Sequence, residues 1–168
     1  MILKKQHVKS QLSKDRPQSH SAEKARAYAF LLLKFRLRSE AELIVRLKQK
    51  GFSDNLAQDT VDFLKDKEFI DDRLFARSWV ASRLKRPFGI RRIKQELLGK
   101  GLDKQIIEDS LEQAKKGYSE TQTVSQLARQ RFARLAGIDP QKAKARVYGY
   151  LLRRGFSPDI VSETIKQL

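Results

Sequence analysis

Gly89-Ile-Arg-Arg-Ile-Lys-Gln-Glu-Leu-Leu-Gly-Lys-Gly-Leu-Asp-Lys-Gln-Ile106 is the stretch from which the fold is read. Ile93 and Leu97 stand four apart and share one helix face. Gly101 can take the left-handed conformation that ends a helix, and Lys100 before it suits the negative end of the helix dipole. Leu102 follows, and Asp103 is placed to cap a second helix that carries Ile106 and Leu111. The stretch therefore predicts helix, glycine turn, helix.

The same pattern occurs three times. Aligning Gly51, Gly101 and Gly155 superimposes Leu47, Leu97 and Leu151 four positions earlier, and Leu43, Ile93 and Val147 eight positions earlier. A base precedes each glycine (Lys50, Lys100, Arg154), and Phe52, Leu102 or Phe156 follows it. Next come the capping residues Ser53, Asp103 and Ser157, then Leu56, Ile106 and Ile160, and finally Val61, Leu111 and Ile165. A further helix precedes each pair. It is expected at 22–36, with Tyr28, Leu31, Leu32 and Phe35 as its apolar stripe; at 71–86, with Leu74, Phe75, Trp79 and Val80; and at 118–135, with Val124, Leu127, Phe132 and Leu135. No stretch alternates as a strand does. The expectation is an all-α protein of three tandem three-helix repeats, 22–69, 70–116 and 117–168, in an elongated, curved row. Residues 1–21, rich in serine and basic residues with little apolar pattern, read as a flexible basic tail.

Thirty-six Lys and Arg stand against twenty Asp and Glu, a net charge of +16. A chain this basic is drawn to polyanions. The charge is uneven: the tail carries +4, the first repeat +2, and the second and third +5 each. The densest cluster is Arg83, Lys85, Arg86, Pro87-Phe88-Gly89, Arg91, Arg92 and Lys94, which spans a helix end, a turn and a helix start. Such a turn can offer several donors to one polyanionic surface, or it can simply be a solvated connection. A second group contains Lys142, Lys144, Arg146, Arg153 and Arg154. A third, Arg129, Arg131 and Arg134, cannot lie on one helical face.

The glycine turn invites comparison with a DNA-reading helix-turn-helix, whose second helix enters the major groove. Here the second helices carry Asp54, Asp59 and Asp62; Asp103, Glu108, Asp109 and Glu112; and Asp159 and Glu163. Phosphate would repel them, so groove reading is not expected.

Nothing points to catalysis. There is no cysteine, and His7 and His20 both fall in the tail segment, so the repeats lack the usual general base and zinc ligand. No phosphate-cradling glycine loop occurs. Asp71 and Asp72 start a helix, where capping is the expected role, and Ser39-Glu40-Ala41-Glu42 has the form of a capping box. Trp79 falls at core spacing; Phe88, in the basic turn, is a candidate contact residue. No catalytic residue, metal or cofactor is expected. No apolar run approaches the roughly 20 residues of a membrane span, and the start lacks a signal-peptide core, so a cytoplasmic protein without membrane partners is expected.

Phe69-Ile-Asp-Asp-Arg-Leu-Phe-Ala-Arg77, the stretch from Gly89 to Leu102, and Leu151-Leu-Arg-Arg-Gly-Phe156 together resemble the RecX family of bacterial RecA regulators. The resemblance covers residues 22–168 and leaves out the tail. It implies three tandem three-helix units and a regulator, usually an inhibitor; a non-enzymatic monomer is expected. It also implies binding to the RecA–DNA filament and modulation of ATP hydrolysis, strand exchange and coprotease activity in recombination, DNA repair and the SOS response. Weaker, sequence-independent contact with single- and double-stranded DNA would accompany this. The charge clusters nominate Arg83, Lys85, Arg86, Arg91, Arg92 and Lys94 as contacts, then Arg146, Arg153 and Arg154. The alternative from a different class is a sequence-independent DNA-binding protein without a recombinase partner.

Overall fold

The computed structural model describes the backbone of residues 15–168 and the side chains of residues 21–168. Most of the expected tail, His7 included, lies outside the described residues; its final residues do not, because the first helix begins at Asp15. Among the described residues the fold is entirely helical: α1 Asp15–Phe35, α2 Glu40–Gln49, α3 Asp54–Asp66, α4 Asp72–Leu84, α5 Ile90–Leu98, α6 Lys104–Lys115, α7 Glu120–Ala133, α8 Pro140–Arg153 and α9 Pro158–Lys166. These form two compact units divided between Asp71 and Asp72, the second containing two of the three repeats.

The glycine pattern is a helix-ending motif repeated three times. After α2, α5 and α8, Gly51, Gly101 and Gly155 adopt φ of +100°, +74° and +82°. The glycine N–H donates to Lys48, Leu98 or Leu152, and the N–H after it donates to Leu47, Leu97 or Leu151. This double closure satisfies carbonyls that a helix end leaves unpaired and brings two apolar residues together across the turn. Leu47 meets Phe52, Leu97 meets Leu102, and Leu151 meets Phe156, which explains why the leucine and the following apolar residue recur. A fourth copy closes α3 without glycine: Glu68 takes φ +58°, its N–H donates to Lys65, and Phe69 donates to Leu64. A left-handed non-glycine residue costs about 1–2 kcal/mol.

In the first unit Ala25 and Ala29 of α1 pack onto Leu43, Leu47, Ala57, Val61 and Leu64, closed by Ile70. Tyr28, Leu32 and Leu33 flank the alanines. The expected stripe is therefore corrected at two positions: Leu31 and Phe35 are 51% and 76% exposed. Two alanines four apart let α1 approach closely along a line one position away from its largest residues. Ser39 and Glu42 form the expected capping box at the start of α2.

In the second unit one core gathers Phe75, Ala76, Val80, Ile93, Leu97, Leu102, Ile107 and Leu111. A second gathers Val124, Ala128, Val147, Leu151, Phe156 and Val161. Leu74, expected in the first of these, is exposed.

The two repeats of this unit join where two turns cross. The N–H of Gly89 donates to the carbonyl of Arg154 at 2.9 Å, and that of Arg91 to the carbonyl of Gly155 at 3.2 Å. The orphan donors that open α5 thus pair with carbonyls of the turn that closes α8, those of its C-cap Arg154 and of Gly155 after it. Neither glycine can carry a side chain here: a Cβ on Gly89 would lie 2.2 Å from the Gly155 carbonyl oxygen, and one on Gly155 would lie 2.3 Å from the Arg92 Cβ. Beside the crossing, the half-buried Glu120 carboxylate accepts the backbone N–H groups of Ser157 and Ile90. It therefore meets the starts of α5, α7 and α9 together. This corrects Ser157: it stands at the N-cap position, but its side chain makes no capping bond, and its backbone N–H donates to Glu120. Ser53 and Asp103 cap as expected.

Gly51 has no atom within 4 Å of the place a Cβ would take, so Gly51→Ala meets only the left-handed backbone cost. It is expected to lose about 1 kcal/mol, whereas Gly89→Ala must push one backbone away from another and is expected to lose about 3 kcal/mol or more. Paired denaturant titrations check this; equal losses would show that the crossing is loose.

Candidate functional site

Trp79 and Arg83, Phe88 and Arg92, and Tyr150 and Arg154 each stand four positions apart. On a helix, as for Trp79 and Arg83, that spacing places the guanidinium beside the ring; Phe88 reaches Arg92 from the turn before α5. Arg83 lies 4.4 Å from the Trp79 ring centre, Arg92 lies 4.4 Å from that of Phe88, and Arg154 lies 4.8 Å from that of Tyr150. The crossing of Gly89 and Gly155 then links the pairs. Arg83 and Arg154 also approach Phe88, at 5.8 and 5.5 Å, and Arg154 donates from Nη1 to the Pro87 carbonyl at 2.9 Å. Lys100 covers Trp79 at one end of the row, and Arg131 covers Tyr150 at the other. Cations and rings therefore alternate across both repeats.

One carboxylate organises the centre. Glu96 accepts from Arg83 Nε at 2.6 Å, Arg92 Nε at 3.1 Å and Trp79 Nε1 at 3.0 Å. Burial pushes the Glu96 carboxyl up, but the hydrogen bonds from Arg92, Arg83 and Trp79 together outweigh it and hold it below its ordinary value. Among the described residues Arg83 and Arg92 hydrogen-bond through Nε alone, which leaves the outer amino groups of both forks as donors. At Glu120 the balance is the reverse: burial holds its carboxyl above the ordinary value despite the two backbone donors and the nearby Lys115 and Arg91.

The nominated residues accordingly separate. Arg83, Arg92 and Arg154 converge on Phe88, which is itself half-buried against the core. Lys94 is paired with Glu108. Lys85, Arg86, Arg91, Arg146 and Arg153 are exposed and form no ion pair among the described residues. Glu96, Trp79 and Tyr150 were not nominated; the aromatic-to-arginine spacing of four was the signal available for the two rings. Among the described residues no group of three or more acidic, histidine or cysteine side chains is arranged to hold a metal ion, and no helix is long and apolar enough to cross a membrane.

Comparison with known proteins decides the family. Residues 25–64, 71–111 and 118–165 match, in order, the first, second and third three-helix domains of RecX. The chain belongs to the RecX family. It is 33% identical over 150 residues to regulatory protein RecX of Chlorobium limicola, covering 89% of this chain and 92% of that one. It is 33% identical over 133 residues to regulatory protein RecX of Pasteurella multocida, covering 79% and 80%. A crystal structure of RecX from Lactobacillus salivarius superposes with a TM-score of 0.75 at 25% identity, over 89% of this chain and 97% of that one. Another RecX crystal structure superposes with a TM-score of 0.81 at 22% identity, over 99% and 82%, and shares the fold. Membership of the RecX family gives the chain a regulatory role.

A carboxyl held below its ordinary value stabilises a fold fully above that value, and the contribution is lost as pH falls through the depressed one. Glu96→Gln is therefore expected to cost about 1–2 kcal/mol at neutral pH and to narrow its deficit as pH falls below the ordinary glutamate value of about 4.3. Melting temperatures above and below that value check it; a constant deficit would show that the Glu96 charge is not what holds the arginines.

Proposed function

We propose that this RecX-family chain is a non-enzymatic regulator of RecA that binds the RecA–DNA filament. The match of all three repeats to RecX domains, with relatives named regulatory protein RecX, carries this reading. Charge supports it. The second unit holds most of the excess positive charge, and Lys85, Arg86, Arg91, Arg146 and Arg153 lie exposed on it without ion pairs among the described residues. Such side chains suit a surface of phosphate and acidic protein, where they hasten encounter and set register. The expected direction is inhibition, read out as slower ATP hydrolysis, strand exchange and stimulated repressor cleavage. The protein acts as a monomer in the cytoplasm.

The test follows ATP hydrolysis by RecA assembled on single-stranded DNA as this chain is added, beside its binding to the same bare DNA. Slower hydrolysis well below one regulator per recombinase subunit, at concentrations too low to coat bare DNA, is the expected result. Reversing Lys85 and Arg86 together to Glu should weaken the effect about tenfold or more while leaving the melting temperature unchanged. An unchanged hydrolysis rate, with the protein bound only to bare DNA, would replace this reading with a sequence-independent DNA-binding protein.

A further inference from the structure

The alternating row of cations and rings holds more positive charge than the fold uses. Arg83, Arg92 and Arg154 crowd around Phe88, and Glu96 is the one carboxylate that hydrogen-bonds two of them. Grouping three like charges costs self-repulsion, and a purely structural cluster would be better served by matched pairs. Their geometry is nevertheless fixed: the Nε atoms of Arg83 and Arg92 are held by Glu96, and Nη1 of Arg154 is held by the Pro87 carbonyl. The outward amino groups of Arg83 and Arg92 bond no acceptor among the described residues, and Arg92 is 45% exposed. Fixed forks with free outer donors match phosphate oxygens two at a time.

We propose that this row, centred on Arg92 and Arg154 about Phe88 and continued to Tyr150, is a track for the backbone of single-stranded nucleic acid, with Glu96 as a built-in counter-charge that limits its affinity. Two features favour a single strand over an acidic protein surface. Guanidinium planes laid against rings offer flat faces on which unpaired bases stack, which carboxylates do not need and paired bases cannot reach. The row also runs through both repeats of one compact unit, so it can meet successive phosphates. The proposal deepens the reading above by locating a nucleic-acid contact. Its test contains no recombinase, so either can fail alone.

The experiment measures anisotropy of a labelled oligothymidylate titrated with the full chain at several salt concentrations. Arg92→Gln is expected to weaken binding about tenfold and to reduce the slope of log affinity against log salt by about 0.7, the value for one phosphate contact on a single strand. Lys104→Gln removes the same charge from α6, from a residue that takes no part in the cation–ring contacts, and is expected to change affinity less than about twofold. Glu96→Gln separates a track from a merely structural cluster. It releases Arg83 and Arg92 from their shared acceptor, yet it is expected to tighten binding about threefold or more because it removes the counter-charge. Equal losses in Arg92→Gln and Lys104→Gln would reduce the row to general attraction. Weaker binding in Glu96→Gln, with that variant folded, would make the cluster structural only. Unchanged oligothymidylate binding in Arg92→Gln would exclude the track and leave an acidic protein surface as the row's partner.

Discussion

Two helix ends that satisfy one another at Gly89 and Gly155 determine most of what is distinctive in the second unit. The first N–H groups of α5 and the last carbonyls of α8 would each need a partner from water or side chains. They find each other instead, across a gap too narrow for a Cβ on either glycine. That contact carries Phe88 to Arg154 and brings Glu120 to three helix starts. Arg83 and Arg92 belong to one repeat and Arg154 to the next, so the three become a single cluster only through this crossing.

A cluster of guanidinium groups persists because each has a specific compensation. The faces of Trp79, Phe88 and Tyr150 present their negative quadrupoles to the cations, and partial burial makes such contacts stronger than in open water. Glu96 contributes charged hydrogen bonds to two arginines and takes the indole N–H as a third donor. The carboxylate is thus worth more to the fold ionised than protonated, although burial alone would favour the protonated form. Glu120, with backbone donors and more distant cations, falls on the other side of the same balance.

The repeated helix pairs were legible because their closing motif depends on local chemistry: a glycine that reverses φ, an apolar residue on either side of it, and a polar cap. The same dependence explains what was missed. Glu68 closes α3 in the same way but gives no glycine signal. Leu31 and Phe35 suggested the wrong face of α1 because size was read as burial, whereas close approach selected Ala25 and Ala29. Ser157 has the right residue type for a cap, but its hydroxyl makes no capping bond, and its backbone N–H is taken instead by a carboxylate 37 positions earlier. The basic turn was visible as a density of charge. Its division into clustered, paired and exposed members was not, because that division follows from long-range partners: Arg154 on Phe88, and Glu108 on Lys94.

The division bears on how a basic regulator distinguishes its target from the many polyanions around it. Exposed, unpaired bases such as Lys85 and Arg86 attract any such surface and are weakened by salt. Arginines locked in place by rings, a carboxylate and a backbone carbonyl lose less conformational freedom when they meet a ligand, so they favour ligands whose acceptors already match their spacing. The acidic second helices add the opposing element: Asp103, Glu108, Asp109 and Glu112, of which Glu108 and Asp109 pair with Lys94 and Arg73, make α6 a poorer surface for phosphate than the row. Attraction, preformed geometry and repulsion thus reside in different side chains of one fold, and the crossing of two glycines fixes the geometry of the preformed cluster.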